Sequence, residues 1–329
     1  MSTFNYTHID EAYENINSKI LKTPLIVSEY FNKLTKSSVY FKLENLQWTG
    51  SFKLRGASNK INQLTEKEKK RGVVAYSSGN HAQAVSYASM LNNINAKIIM
   101  PDSAPTIKIK NTEKYGAKVI LYDSYYESRE KIANEIAYKE KRSLIKPFDD
   151  LDIIAGQGTA AKEIFDDLQK KNVIPDIFLC CCGGGGLVAG TSTYLKHKYP
   201  NIDCYSVEPD DFNDTKISLE KNKIISNDMR LNSICDALLA KQPGDVTFAI
   251  NKKILKGGLS VSDKEVKDTI IALAEHLKIV VEPGGAVAAS ALFNKKINIE
   301  NKKIIVMVSG GNIDPSLFSK IIKKNNATD

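Results

Sequence analysis

The sequence predicts an α/β protein in two domains, with parallel twisted sheets flanked by helices. Three observations predict it. Short apolar runs alternate with helix-like stretches along the 329 residues, the alternation that gives parallel sheets with crossover helices. Runs such as Ile304-Ile305-Val306-Met307-Val308 are apolar throughout, so both their faces need cover. Glycine and polar clusters follow those runs directly, at Ser77-Ser78-Gly79-Asn80, at 183–186 and at Ser309-Gly310-Gly311-Asn312. Ligands of open α/β sheets bind beyond the carboxyl ends of strands, so three loops face one functional edge.

In chain order, residues 72–76 read as a strand and 82–92 as a helix. A strand at 96–100 is ended by Pro101, which cannot donate to a ladder. A third strand at 118–122 precedes a helical run at 126–141. The near-continuous apolar run 177–182 comes next, then four glycines and a helix. Strands at 203–207 and 303–308 complete the set.

Hydrophobic residues make up 42% and charged residues 26%, the balance of a globular chain with a sizeable core; its length suits two domains around a cleft. The net charge of +8 comes almost wholly from dispersed lysines. With no arginine cluster and no aromatic interleaving, a solvated surface is expected rather than nucleic-acid binding. The five cysteines, Cys180, Cys181, Cys182, Cys204 and Cys235, have neither zinc-finger spacing nor a disulfide framework. They suit buried thiols in a reducing compartment. The segment 1–10 is polar, so no signal peptide is expected, and no apolar run reaches membrane-spanning length. A cytoplasmic protein, without membrane or nucleic-acid partners, is the expectation.

Five motifs carry chemistry. In Thr49-Gly50-Ser51-Phe52-Lys53-Leu54-Arg55-Gly56-Ala57, with the only tryptophan at Trp48, aromatic groups surround a lysine. A desolvated lysine is an available nucleophile, although a surface lysine is the commoner case. Ser77-Ser78-Gly79-Asn80-His81 lies between strand and helix. Ser78 or Asn80 can cap that helix, and a helix N-terminus also binds anions. Gly183-Gly184-Gly185-Gly186-Leu187 permits close approach of N–H groups to an anion. It also matches a dinucleotide fingerprint through Gly184, Gly186 and Ala189, with Glu208 near the ribose position; a nucleotide-dependent oxidoreductase therefore stays open. Ser309-Gly310-Gly311-Asn312 reads as a turn, and Glu282-Pro283-Gly284-Gly285-Ala286 as a turn that packs.

Together, in this order, the five motifs resemble the fold-type II pyridoxal-phosphate enzymes, whose architecture is that of the tryptophan synthase β chain. The likeness is greatest to threonine and serine dehydratases and serine racemase, and it spans about Thr23 to Asp314. The dinucleotide reading accounts for one motif only.

The resemblance implies a large cofactor domain at 1–64 and 147–329 and a small one at 65–146. It makes Lys53 the Schiff-base lysine and the base at the substrate Cα. Phe52 packs on the ring, Asn80 meets the 3′-oxygen, and Ser309 lies beside the ring nitrogen. Gly183, Gly184, Gly185, Gly186 and Leu187 cradle the phosphate. Ser78 carries a proton on the face opposite Lys53, and Ser77, Ser78, Asn80 and His81 hold the substrate carboxylate. Glu208, Phe212 (through its carbonyl) and Asp214 form a divalent-cation site suited to Mg²⁺ or Ca²⁺.

The implied reaction is dehydration and deamination of L-threonine or L-serine to a 2-oxo acid and ammonia. Serine racemase and hydroxyaspartate dehydratase are the near alternatives. A non-catalytic relative is disfavoured because Lys53 and Ser78 are both kept. Relatives also imply a homodimer or homotetramer. Many of them have Ala-Asp-Gly-Val-Ala where this chain has Cys235-Asp236-Ala237-Leu238-Leu239, a change expected to alter substrate fit. With little chain after Asn312, an appended regulatory domain with isoleucine feedback is not expected.

Overall fold

A computed structural model of the chain describes residues 4–104 and 106–323. Among the described residues, ten strands form two sheets. They are β1 (Leu25–Val27), β2 (Ser38–Leu43), β3 (Val73–Tyr76), β4 (Ala96–Pro101), β5 (Lys118–Tyr122), β6 (Ser143–Leu144), β7 (Ile177–Cys181), β8 (Asp203–Pro209), β9 (Gly257–Val261) and β10 (Lys303–Val308). The six-stranded sheet has the order β1-β2-β10-β7-β8-β9, and the four-stranded sheet the order β5-β4-β3-β6. Pairing is parallel throughout, except that β1 lies antiparallel on β2.

The six expected strands are present within a residue or two of their predicted ends. Four others are not apparent from apolar runs. β1 and β6 are too short to show a pattern, and β9 opens on Gly257-Gly258, which depresses strand propensity. β2 holds Lys42 next to its last residue. That lysine is fully buried and lies 2.5 Å from Glu163 Oε2, so its charge is met inside the fold. The helix expected from 126 starts instead as Arg129–Glu140, because the Ser128 side chain caps it by accepting from Lys131 N. All five cysteines are free and buried, as expected.

The larger core packs around the six-stranded sheet and includes Phe41, Phe178 and Val306. A second core joins the four-stranded sheet (Val73, Ala75, Ile98) to the helix Lys53–Asn62 through Leu54, Ala57 and Ile61. That helix thus lies between the sheets, with its first residue at the carboxyl ends of their strands. Among the described residues no helix is long and apolar enough to cross a membrane.

Candidate active site

The cleft between the sheets is lined by loops that follow β3, β7 and β10 and by the start of the helix Lys53–Asn62. Two backbone bonds hold the Lys53 loop against the end of β10, and a third ties Glu282 to the same turn. Phe52 N donates to Ser309 O at 3.1 Å, Gly311 N to Gly50 O at 2.9 Å, and Glu282 N to Gly310 O at 3.1 Å. Lys53 lines the cleft; its Nζ donates to Pro147 O at 2.7 Å and lies 5.2 Å from the Phe52 ring centre. Burial pushes its pKa down to about 8, against the opposing pull of Cys181 and Glu282. An amine of this kind keeps a much larger neutral fraction near physiological pH than an ordinary lysine. Trp48, in contrast to the expectation, is half-exposed, does not line the cleft, and has its ring centre 6.2 Å from that of Tyr87.

The glycine loop joins β7 to the helix Gly186–Lys198. A side chain is excluded for two reasons. Gly185 has φ +91°, and a Cβ on Gly184 would run into the Phe148 ring. Thr247 Oγ1 donates to Gly184 O at 2.7 Å and Asn251 Nδ2 to Gly185 O at 3.3 Å. Those bonds turn the carbonyls toward the helix Asp245–Ile254. The N–H groups of a first helical turn have no intrahelical acceptor, so the cleft side offers donors and a positive helix end, the chemistry of a phosphate cradle.

Ser77, Ser78, Asn80 and His81 line the same cleft. Neither Ser78 nor Asn80 caps the helix Asn80–Leu91, contrary to the capping expectation. Gly79 is the N-cap and carries no side-chain cap bond, while Ser77 Oγ accepts from Gly79 N at 3.1 Å. The Asn80 amide is engaged instead with Glu282 and Asn312. His81 is buried and its ring Nε2 lies 3.0 Å from Ile145 O, so that nitrogen carries the proton. Burial, with Lys53 nearby, drives its pKa down to about 3. The ring is neutral, and any hold on a carboxylate here comes from hydroxyl and N–H donors. Ser309, at the end of β10, is buried and also lines the cleft.

The sequence assigns no catalytic or cofactor-binding role to several other lining groups. Glu282 is buried, and burial raises its pKa to about 7, with Asp236 adding and Asn80, Lys108 and Lys53 opposing. Lys108 and Asp236 form an ion pair at the mouth. Arg129 lies 5.7 Å from the Tyr76 ring centre. Ala237, Leu238 and Leu239 line the cleft, so the segment that departs from the commoner pattern does face the site.

A family model described as pyridoxal-phosphate dependent enzyme matches residues 16–310. The chain belongs to that family. Pyridoxal phosphate is therefore its cofactor type, and the cleft fits it: a desolvated amine, a side-chain-free cradle of N–H groups and a gap bounded by Phe52 and Ser309. The chain is 40% identical over 319 residues to a serine racemase of Schizosaccharomyces pombe, covering 97% of each chain. It is 38% identical over 316 residues to an L-threonine ammonia-lyase of Thermotoga maritima, covering 96% of this chain and 77% of that one. The crystal structure of serine racemase from Dictyostelium discoideum superposes with a TM-score of 0.88 at 37% identity, covering 95% of this chain and all of that one.

Membership of this family displaces the dinucleotide reading, and the geometry says why. Glu208 is fully buried, and its two oxygens accept from Thr215 N at 2.9 Å and Lys216 N at 2.8 Å, which leaves it unfit to meet a ribose. The same glutamate belongs to the loop expected to bind a divalent cation. Burial, and then the neighbouring Asp214, raise the Glu208 pKa well above normal; burial raises that of Asp214 to about 7. Asp214 Oδ1 accepts from Asn227 at 2.6 Å, and its Oδ2 is buried without a partner. Phe212 lies in the turn between the two acids. An orphaned oxygen and two buried acids that repel one another fit a cation. Even so, among the described residues no group of three or more histidine, cysteine or acidic side chains gathers there or elsewhere to hold a metal.

Proposed function

We propose that the protein eliminates water from L-threonine or L-serine, and that hydrolysis of the resulting imine takes one water back and releases ammonia and a 2-oxo acid. One observation carries the reading: Lys53 Nζ, depressed to about 8 and bonded to the Pro147 carbonyl, faces the same cleft as the glycine cradle and Ser309. The cofactor, when bound, supplies the electron sink that acidifies the Cα–H bond. The rest falls to the chain. The N–H and hydroxyl donors around Ser77, Ser78 and Asn80 hold the substrate carboxylate. Lys53 Nζ, as a neutral amine, takes the Cα proton. Ser309, a hydroxyl rather than a carboxylate, would impose no positive charge on a ring nitrogen held beside it. The segment Ala237–Leu239 crowds the cleft and favours a small side chain on the substrate.

Racemisation of serine is the second reading. It needs one group to remove the Cα proton and another to return one on the other face, and Ser78 lines the cleft that Lys53 enters. The relative of 40% identity is a serine racemase. The two readings part in the Ser78→Ala variant. Loss of racemisation by roughly 10²-fold or more, with 2-oxo acid release from the L-isomer largely kept, assigns Ser78 as the second proton carrier. Equal loss of both would make it a carboxylate ligand only.

A further inference from the structure

The orientation of the Asn80 amide is fixed by its neighbours. Asn80 Oδ1 accepts from Asn312 Nδ2 at 2.7 Å. Asn80 Nδ2 donates to Glu282 Oε1 at 2.6 Å. Asn312 is itself tied down, because the same nitrogen donates to Thr49 O at 2.8 Å. The two ends of an asparagine amide are nearly equal in shape, so only their partners decide which way it turns. A donor nitrogen on one side and a carboxyl oxygen on the other leave one arrangement. One N–H of Asn80 remains, and Asn80 lines the cleft.

Glu282 is a stiff support. It is the N-cap of the helix Pro283–Phe293, it is buried, and its own N–H is bonded to Gly310 O at 3.1 Å. Position 310 has no room for a side chain, since a Cβ there would run into Glu282 Oε1. With Lys53 as the cofactor lysine, a reading on which this rests, we propose that Glu282 is a positioning residue. By accepting from Asn80 Nδ2 it turns the remaining Asn80 N–H toward an oxygen acceptor of the bound cofactor. Asn312 secures the other end of the same amide. Glu282 lies 202 residues from Asn80 and acts on the cofactor through it.

Absorbance titration of the apoprotein with pyridoxal phosphate tests this, read as cofactor affinity rather than turnover. Glu282→Ala and Asn80→Ala each weaken binding by about tenfold, one hydrogen bond's worth. The double variant binds no more weakly than Asn80→Ala, since both changes remove the same contact. Glu282→Gln keeps an acceptor of the same shape and stays within about twofold of wild type. Glu282→Met, of similar volume, replaces the alanine variant if that one does not fold. Binding by Glu282→Ala or Glu282→Met within about twofold of wild type, multiplicative losses in the double variant, or a glutamine variant as weak as alanine overturns the inference. Wild-type protein that takes up no cofactor overturns it together with the Lys53 reading, so the two failures are distinguishable.

Discussion

Two buried cationic regions share the helix Lys53–Asn62, and they are built oppositely. Arg55 turns into a sealed cluster, where it donates to both oxygens of Glu44 at 2.7 and 2.8 Å and to both oxygens of Glu163 at 2.9 and 2.8 Å. Lys42 adds a second cation on Glu163 at 2.5 Å. Two cations thus meet two carboxylates, all fully buried. Burial alone would lower the Arg55 pKa, but Glu44 and Glu163 carry it above its ordinary value. Lys53, two residues earlier, has a neutral carbonyl as its hydrogen-bond partner, and burial prevails there. Matched charge fixes the helix, whereas the unmatched amine is left free for chemistry.

Substitutions at the two cations sharpen the contrast. Arg55→Met keeps most of the volume but leaves two buried carboxylates facing Lys42 alone. Breaking a buried pair by removing one partner costs about 3–5 kcal/mol, to be read from the denaturation midpoint. Lys53→Met, at the cleft, is expected to leave that midpoint unchanged or raised, since it removes an uncompensated amine. Equal destabilisation at both positions would erase the distinction.

A smaller effect is expected at the glycine cradle. Gly184→Ala drives a methyl into the Phe148 ring, an overpacking of about 1–3 kcal/mol, and cofactor affinity falls with it. Unchanged affinity would show that the loop tolerates the shift and that its glycines are not there for close approach.

The smallest effect concerns the second pair of buried acids. We propose that a divalent cation bridges Glu208, Asp214 and the Phe212 carbonyl. At about three times Kd, Mg²⁺ or Ca²⁺ would stabilise the fold by about 0.8 kcal/mol, and Asp214→Asn would remove the effect. A melting temperature indifferent to either ion would discard the site.

Much of the fold and the cleft is legible in the sequence, for a physical reason. Ser77, Ser78, Asn80, the glycine run and Ser309 each follow directly on an apolar strand, so burial pattern and chemistry adjoin in the chain. Phe148, Thr247 and Glu282 cannot be read that way. Each reaches its partner across a long separation, as with Thr247 and Gly184, 63 residues apart, and its role exists only as a contact. Lys42 hides β2 because a charged side chain in a strand looks exposed until Glu163, 121 residues on, is placed beside it. The absence of a cap at Ser78 is hidden for a related reason, since Ser77 and Gly79 settle that turn between themselves.

The proposed chemistry turns on the Lys53 amine, and reconstitution of the apoprotein with pyridoxal phosphate across pH tests it most directly. A visible absorption band should form in the wild type, appear faster as pH rises through about 8, where the neutral amine becomes the major form, and bleach on borohydride treatment, leaving cofactor that resists dialysis. Lys53→Ala should give no such borohydride-fixed product at any pH. A fixed product in that variant, or attachment mapped to another lysine of the wild type, would contradict the assignment.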